Sequence, residues 1–200
     1  MVGLVLLGLV LSIVLVMVVQ AVWVDRRTGY DVYVIKRGRH YSRKSNFFLP
    51  LPFEVVLAPK VLRFGAIFGD GTATPGSNDD INKLYGMTFG FDPRYRSVRI
   101  GWRACRDVPE TLELFAYWHD NSTLHYAPLG RVAQYEEVFF TILHTGAAVA
   151  VGWRVTEAGP DTVCYLKMSG ASSWLRFRLY PYFGGTDVAP CDMKIYVRNL

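Results

Sequence analysis

From Tyr30 onward, apolar and polar residues alternate in short runs; before it they do not alternate at all. Residues 1–24 (MVGLVLLGLVLSIVLVMVVQAVWV) carry no charged side chain, and Leu, Val and Ile dominate residues 4–19. After residue 30 the period is two, as expected of strands with one dry face. The runs are Tyr30–Lys36, Val61–Phe68, Leu84–Phe91, Val98–Arg103, Leu112–His119, Val138–Leu143, Val149–Val155, Val163–Met168, Leu175–Tyr182 and Met193–Val197. Gly, Pro, Asn and Asp separate them, and no stretch there shows a helical stripe. Short strands at such spacing predict an all-β antiparallel sandwich or barrel.

The first segment calls for a different solvent. A helix of about 20 apolar residues spans the roughly 30 Å of a hydrocarbon core. In lipid a single segment satisfies its own backbone only as a helix. The alternative is a cleaved signal peptide, with small residues around Val19-Gln20-Ala21. The segment lacks a basic leading region and its apolar run is long for that role. The pattern therefore predicts an anchor over 1–24, a basic linker over 25–29 and a β-sandwich domain over 30–200. Arg26, Arg27, Lys36, Arg37, Arg39, Arg43 and Lys44 outnumber Asp25 and Asp31 in the flank. The positive-inside rule then makes this a single-pass membrane protein with its domain on the cytoplasmic side, and the same charges could touch anionic lipid.

Alternation also sorts the strand faces. Val98, Ile100 and Trp102 lie opposite Arg99, Gly101 and Arg103; Leu112, Leu114, Ala116 and Trp118 lie opposite Glu113, Phe115, Tyr117 and His119. Leu175, Phe177 and Leu179 alternate with Trp174, Arg176, Arg178 and Tyr180. Each strand so read has a dry face and a face mixing rings with arginines. Rings stack on sugars, and guanidinium groups hold carboxylate or phosphate at two points. The expected ligand-binding set is Arg99, Arg103, Tyr117, His119, Arg176 and Arg178.

Charge fits that expectation only loosely. The net charge is +5, scattered rather than blocked. It suits an anionic surface or glycan and gives nucleic acid no concentrated patch. Cys105, Cys164 and Cys191 form no C-x-x-C pair and are odd in number, which points to free thiols rather than a disulfide framework or zinc site. His40, His119, His125 and His144 stand without a nucleophile motif, so neither Ser-His-Asp nor papain-like catalysis is indicated. The loop GDGTATPGSNDD (69–80) offers oxygens to calcium but lacks EF-hand spacing, and reads as a loop. No cofactor, metal or catalytic residue is expected.

The segments NDDINKLYGMTFGF, SVRIGWR, LELFAYWHDN and LYPYFGGTDVAPCDMKIYV, in this order, resemble a family of small uncharacterised proteins of Bacteroidetes-type bacteria and their phages. The resemblance covers about residues 30–198 and implies a lectin-like jelly roll, with no activity attached. It departs from the family at Asp92-Pro93-Arg94-Tyr95 and at Cys191, where relatives often carry histidine. The function expected is a membrane-anchored, non-catalytic module that binds a glycan or another anionic surface. The alternatives are a structural subunit bound to protein partners in a membrane complex or virion, and a lyase-like polysaccharide enzyme. Within the last segment, Gly184, Gly185 and Pro190 read as the long turn between two strands.

Overall fold

The computed structural model describes residues 29–44, 53–57, 60–145, 148–159, 161–168 and 175–200. The expected anchor and most of its linker lie outside these residues. Among the described residues no helix is long and apolar enough to cross a membrane. The strands are β1 (Asp31–Ile35), β2 (Ser42–Lys44), β3 (Phe53–Leu57), β4 (Val61–Phe68), β5 (Asn82–Thr88), β6 (Arg96–Ala104) and β7 (Thr111–Asp120). They continue with β8 (Thr123–Ala133), β9 (Glu137–His144), β10 (Ala148–Arg154), β11 (Thr162–Lys167), β12 (Leu175–Leu179) and β13 (Met193–Asn199). All pair antiparallel, in a seven-stranded sheet of order β11-β10-β9-β4-β13-β1-β2 and a six-stranded sheet of order β3-β12-β5-β6-β7-β8. The domain is thus the all-β, two-sheet sandwich that the alternation predicts.

The core lies between the sheets and is built by the inward half of each period. Val98, Ile100, Trp102, Leu112, Leu114 and Ala116 enter from the six-stranded sheet; Phe64, Phe68, Phe140, Ile142, Met193, Ile195 and Val197 meet them from the other. Each such large side chain contributes about 1.5–3 kcal/mol when fully buried. Rings join the layers: Phe68 lies 5.7 Å from Trp102, and Phe64 meets Tyr85 edge-on at 5.0 Å.

Strand β12 does not have the facing that its alternation suggests. Arg178 pairs with Met87 and Leu179 with Gly86, while Met87 pairs with Val98 and Gly86 with Arg99. Directly paired residues share a face, so Arg178 joins Val98 on the inner side and Leu179 joins Arg99 on the outer side. The inner side can take the arginines because polar partners wait there. Arg178 Nη1 donates to Glu54 Oε2 at 2.7 Å. Arg176 lies over the Phe89 ring at 5.1 Å, with its Nη2 3.1 Å from His144 Nδ1.

Candidate functional site

Register places one row of side chains across the outer face of the six-stranded sheet: Phe53, Leu179, Gly86, Arg99 and Tyr117, from β3 to β7. A second row, two residues along, holds Thr88, Ser97 and His119. Phe177 joins it, since its N–H donates to Thr88 Oγ1 at 3.3 Å. Gly86 makes the floor dip. A Cβ there would run into the Val98 carbonyl and the Arg99 backbone, so the position takes no side chain. Arg99 lies over that dip and donates from Nη2 to the Tyr180 carbonyl at 2.9 Å. Loops supply the walls: Phe91–Arg94 on one side, Tyr41 and Tyr180–Tyr182 on the other, enclosing a groove of about 640 Å³.

Three cations line this groove among the described residues: Arg94, exposed on the wall, and the two more deeply set Lys83 and Arg99. Lys83 is buried, donates from Nζ to the Gly184 carbonyl at 2.6 Å, and lies 5.0 Å from the Tyr117 ring and 5.6 Å from that of Tyr182. Burial pulls its pKa down from 10.5 to about 8, helped by the charge of Arg99. The carboxylate whose field reaches it is Asp80, whose Oδ2 already accepts N–H bonds from Gly185 and Thr186. Burial likewise lowers the Arg99 guanidinium to about 10, and its neighbours by charge are the phenols Tyr117 and Tyr182 rather than an acid. Its Nε, and Nδ1 of His119, find no hydrogen-bond partner among the described residues. Burial first, then the charges of Lys83 and Arg99, pushes the His119 imidazole below its ordinary range, so it is neutral at pH 7. The Tyr117 ring stands edge-on to it at 5.5 Å, and burial raises the Tyr117 phenol.

Of the six residues expected to bind ligand, the fold brings Arg99, Tyr117 and His119 together in the groove. Arg103 shares their face but lies four residues further along β6, roughly 13 Å away at strand rise. Its charge is spent on Glu113 at 2.8 Å, which also accepts from Arg131 at 3.0 Å. The hollow beside Arg103 holds only about 10 Å³, room for one water. Arg176 and Arg178 lie on the opposite, inner face. Sequence reasoning missed Lys83, and it missed the walls: Tyr41, Phe53, Phe91, Phe177 and Tyr182.

A clasp fixes the wall next to Lys83. Asp187 accepts from Asn78 N at 2.6 Å, Ser77 Oγ at 2.7 Å and Asn78 Nδ2 at 2.8 Å, while Asp80 holds the backbone of Gly185 and Thr186 in return. Gly184 takes φ +65° and donates to Asn82 Oδ1 at 2.6 Å. The acidic loop 69–80 therefore turns its oxygens to protein donors, with Asp70 on Lys194 and Asp79 on Arg106. Among the described residues no cluster of three or more His, Cys, Asp or Glu side chains is gathered as a metal site would need.

No family model matches the chain, and no curated protein matches it. Solved structures share its fold. An alginate lyase from Klebsiella pneumoniae superposes with a TM-score of 0.55 at 14% identity, over 70% of this chain and 58% of the lyase. The chain thus spans little more than half of that enzyme's length. An uncharacterised protein from Mycobacterium paratuberculosis gives 0.52 at 9% identity, over 84% of this chain and 80% of that one. A protein of unknown function from Saccharomyces cerevisiae gives 0.51 at 8% identity, over 86% and 85%. At these identities the likeness is one of β-sandwich fold.

Proposed function

We propose that the groove binds an acidic glycan, with Lys83 and Arg99 holding a sugar carboxylate and Tyr117 and Tyr182 packing against the ring. The observation that carries this reading is a pair of neighbouring, largely buried cations that face a groove and have no carboxylate in contact among the described residues. A buried charge without a partner is costly, and a ligand carboxylate would relieve that cost. The sandwich fold shared with an alginate lyase is in keeping with a glycan ligand. The test is titration calorimetry of the full chain with an oligouronate and with its neutral counterpart. The acid should bind and the neutral sugar should not. Arg99→Met should weaken the acid about 10–100-fold, the range for a charge-assisted hydrogen bond. Affinity should fall as pH rises past about 8, where Lys83 loses its proton. Equal binding of the neutral sugar would sink the reading.

One observation favours a second reading, polysaccharide cleavage by β-elimination. His119 is neutral at pH 7 and shares the groove with Tyr117, Lys83 and Arg99. A neutral imidazole can take the proton next to a uronate carboxylate, whose developing charge Lys83 and Arg99 would stabilise. The glycosidic bond to the neighbouring carbon then breaks, its oxygen takes a proton from Tyr117, and a carbon–carbon double bond forms. Ultraviolet absorbance of that double bond, lost in His119→Ala with binding retained, would establish it. Binding with no such absorbance leaves a binding module.

A further inference from the structure

The groove has two chemically different ends. Row spacing puts Phe53 on β3 four strand intervals, roughly 19 Å, from Tyr117 on β7. The β7 end carries Lys83, Arg99, Tyr117 and His119. The β3 end carries Phe53, Phe91, Phe177 and Leu179. Phe177 meets Phe53 edge-on at 5.1 Å and Phe91 at 5.6 Å. Phe91 is 82% exposed, an unusual state for a phenylalanine that already has ring neighbours in a groove.

That end is dry in a second sense. The hydroxyls in the row of Phe177 belong to Thr88 and Ser97, and both are used within the protein. Thr88 Oγ1 donates to the Gly90 carbonyl at 2.6 Å and accepts from Phe177 N; Ser97 Oγ donates to the Pro93 carbonyl at 2.5 Å. A sugar ring placed over these phenylalanines would surrender water at its hydroxyls and find the Thr88 and Ser97 hydroxyls already engaged, with polar side chains only at the rim, on Asp92 and Arg94 among the described residues. Sugar-stacking sites commonly use Tyr or Trp, which pair a face with a polar atom; three phenylalanines and a leucine do not.

We propose that the ligand is an acidic sugar bearing an apolar substituent, an aryl or acyl group that lodges among Phe53, Phe91 and Phe177 while the carboxylate reaches Lys83 and Arg99. This rests on the acidic reading of the site, and three probes separate the two ideas. The full chain is titrated with methyl β-glucuronide, phenyl β-glucuronide and phenyl β-glucoside. The phenyl glucuronide should bind about tenfold tighter than the methyl one, a conservative share of what burying a ring can give. Phe91→Ala, at an exposed position where folding is not at stake, should bring the phenyl glucuronide down to the affinity of the methyl one. Arg99→Met should weaken both glucuronides alike. Equal affinity for the methyl and phenyl glucuronides overturns the substituent and leaves the acid site standing. Equal affinity for the phenyl glucuronide and phenyl glucoside overturns the acid site. Silence with all three overturns both.

Discussion

Burial takes Lys83 from an ordinary lysine value of 10.5 to about 8, and the shift has a consequence for stability. Between those values the unfolded chain holds a proton that the folded chain has shed. Stability is therefore fullest above pH 10.5 and is lost as pH falls through that window towards 8. Lys83→Met removes the titration. The variant should gain stability relative to the parent at pH 7 compared with pH 10, by about 1–3 kcal/mol in urea unfolding. A difference independent of pH would mean that Lys83 is solvated. The sequence gives little warning of this residue. Register slips between Lys83 and Tyr85, and the extra residue breaks the alternation by which its facing could be read. Arg99, Tyr117 and His119 sit on unbroken strands, which is why their shared face was legible.

At the level of elements, alternation locates strands well and their outer partners poorly. Each of the ten expected runs overlaps a strand. The expected run Leu84–Phe91 is shifted to Asn82–Thr88, and Leu175–Tyr182 ends at Leu179. Three strands were missed. β2 is a charged three-residue edge, and β3 is a short run at the opposite end of the other sheet. In β8, Pro128 and Gly130 interrupt the pattern; an edge strand tolerates the proline, and the register shift opposite Leu114 and Phe115 absorbs the irregularity. The turn before it falls at Asn121 and Ser122, whose φ of 49° and 65° make a two-residue hairpin. In β12 the facing is the reverse of its apolar alternation, because alternation reports two faces but not which one meets the core. The clasp between loops 77–80 and 184–187 was also invisible, since it pairs residues more than a hundred positions apart. Asp80→Ala should cost about 1–3 kcal/mol and speed hydrogen exchange at Gly185 and Thr186. The Asp80 carboxyl is held below 3.8, chiefly by the Thr186 N–H, so its contribution is present above that pH and lost as pH falls below it. Unchanged exchange at neutral pH would show that the loop holds its shape without the aspartate.

At the scale of the whole molecule, the two sheets must also be sealed along their sides. Trp153 on β10 covers Gly130 on β8, and a Cβ at that glycine would run into the indole ring. Gly130→Val should displace Trp153, lower stability by about 1–3 kcal/mol and shift tryptophan emission to the red. An unaltered melting temperature and spectrum would place the seal elsewhere. The free thiols of Cys105, Cys164 and Cys191 add no cross-link to this frame. Its integrity rests on packing and on strand pairing, and one pairing has a mechanical side. The first strand lies beside the last, with Asp31 opposite Val197 and Ile35 opposite Met193. Their outer ends leave the sheet at the same edge. Tension applied between the two ends would therefore open β1 from β13 like a zip, one rung at a time, instead of shearing all rungs together. A sandwich with a well-packed interior would then yield first along that one seam, and the groove would feel it through Tyr41, which leads into β2 beside β1 and bridges to Tyr182.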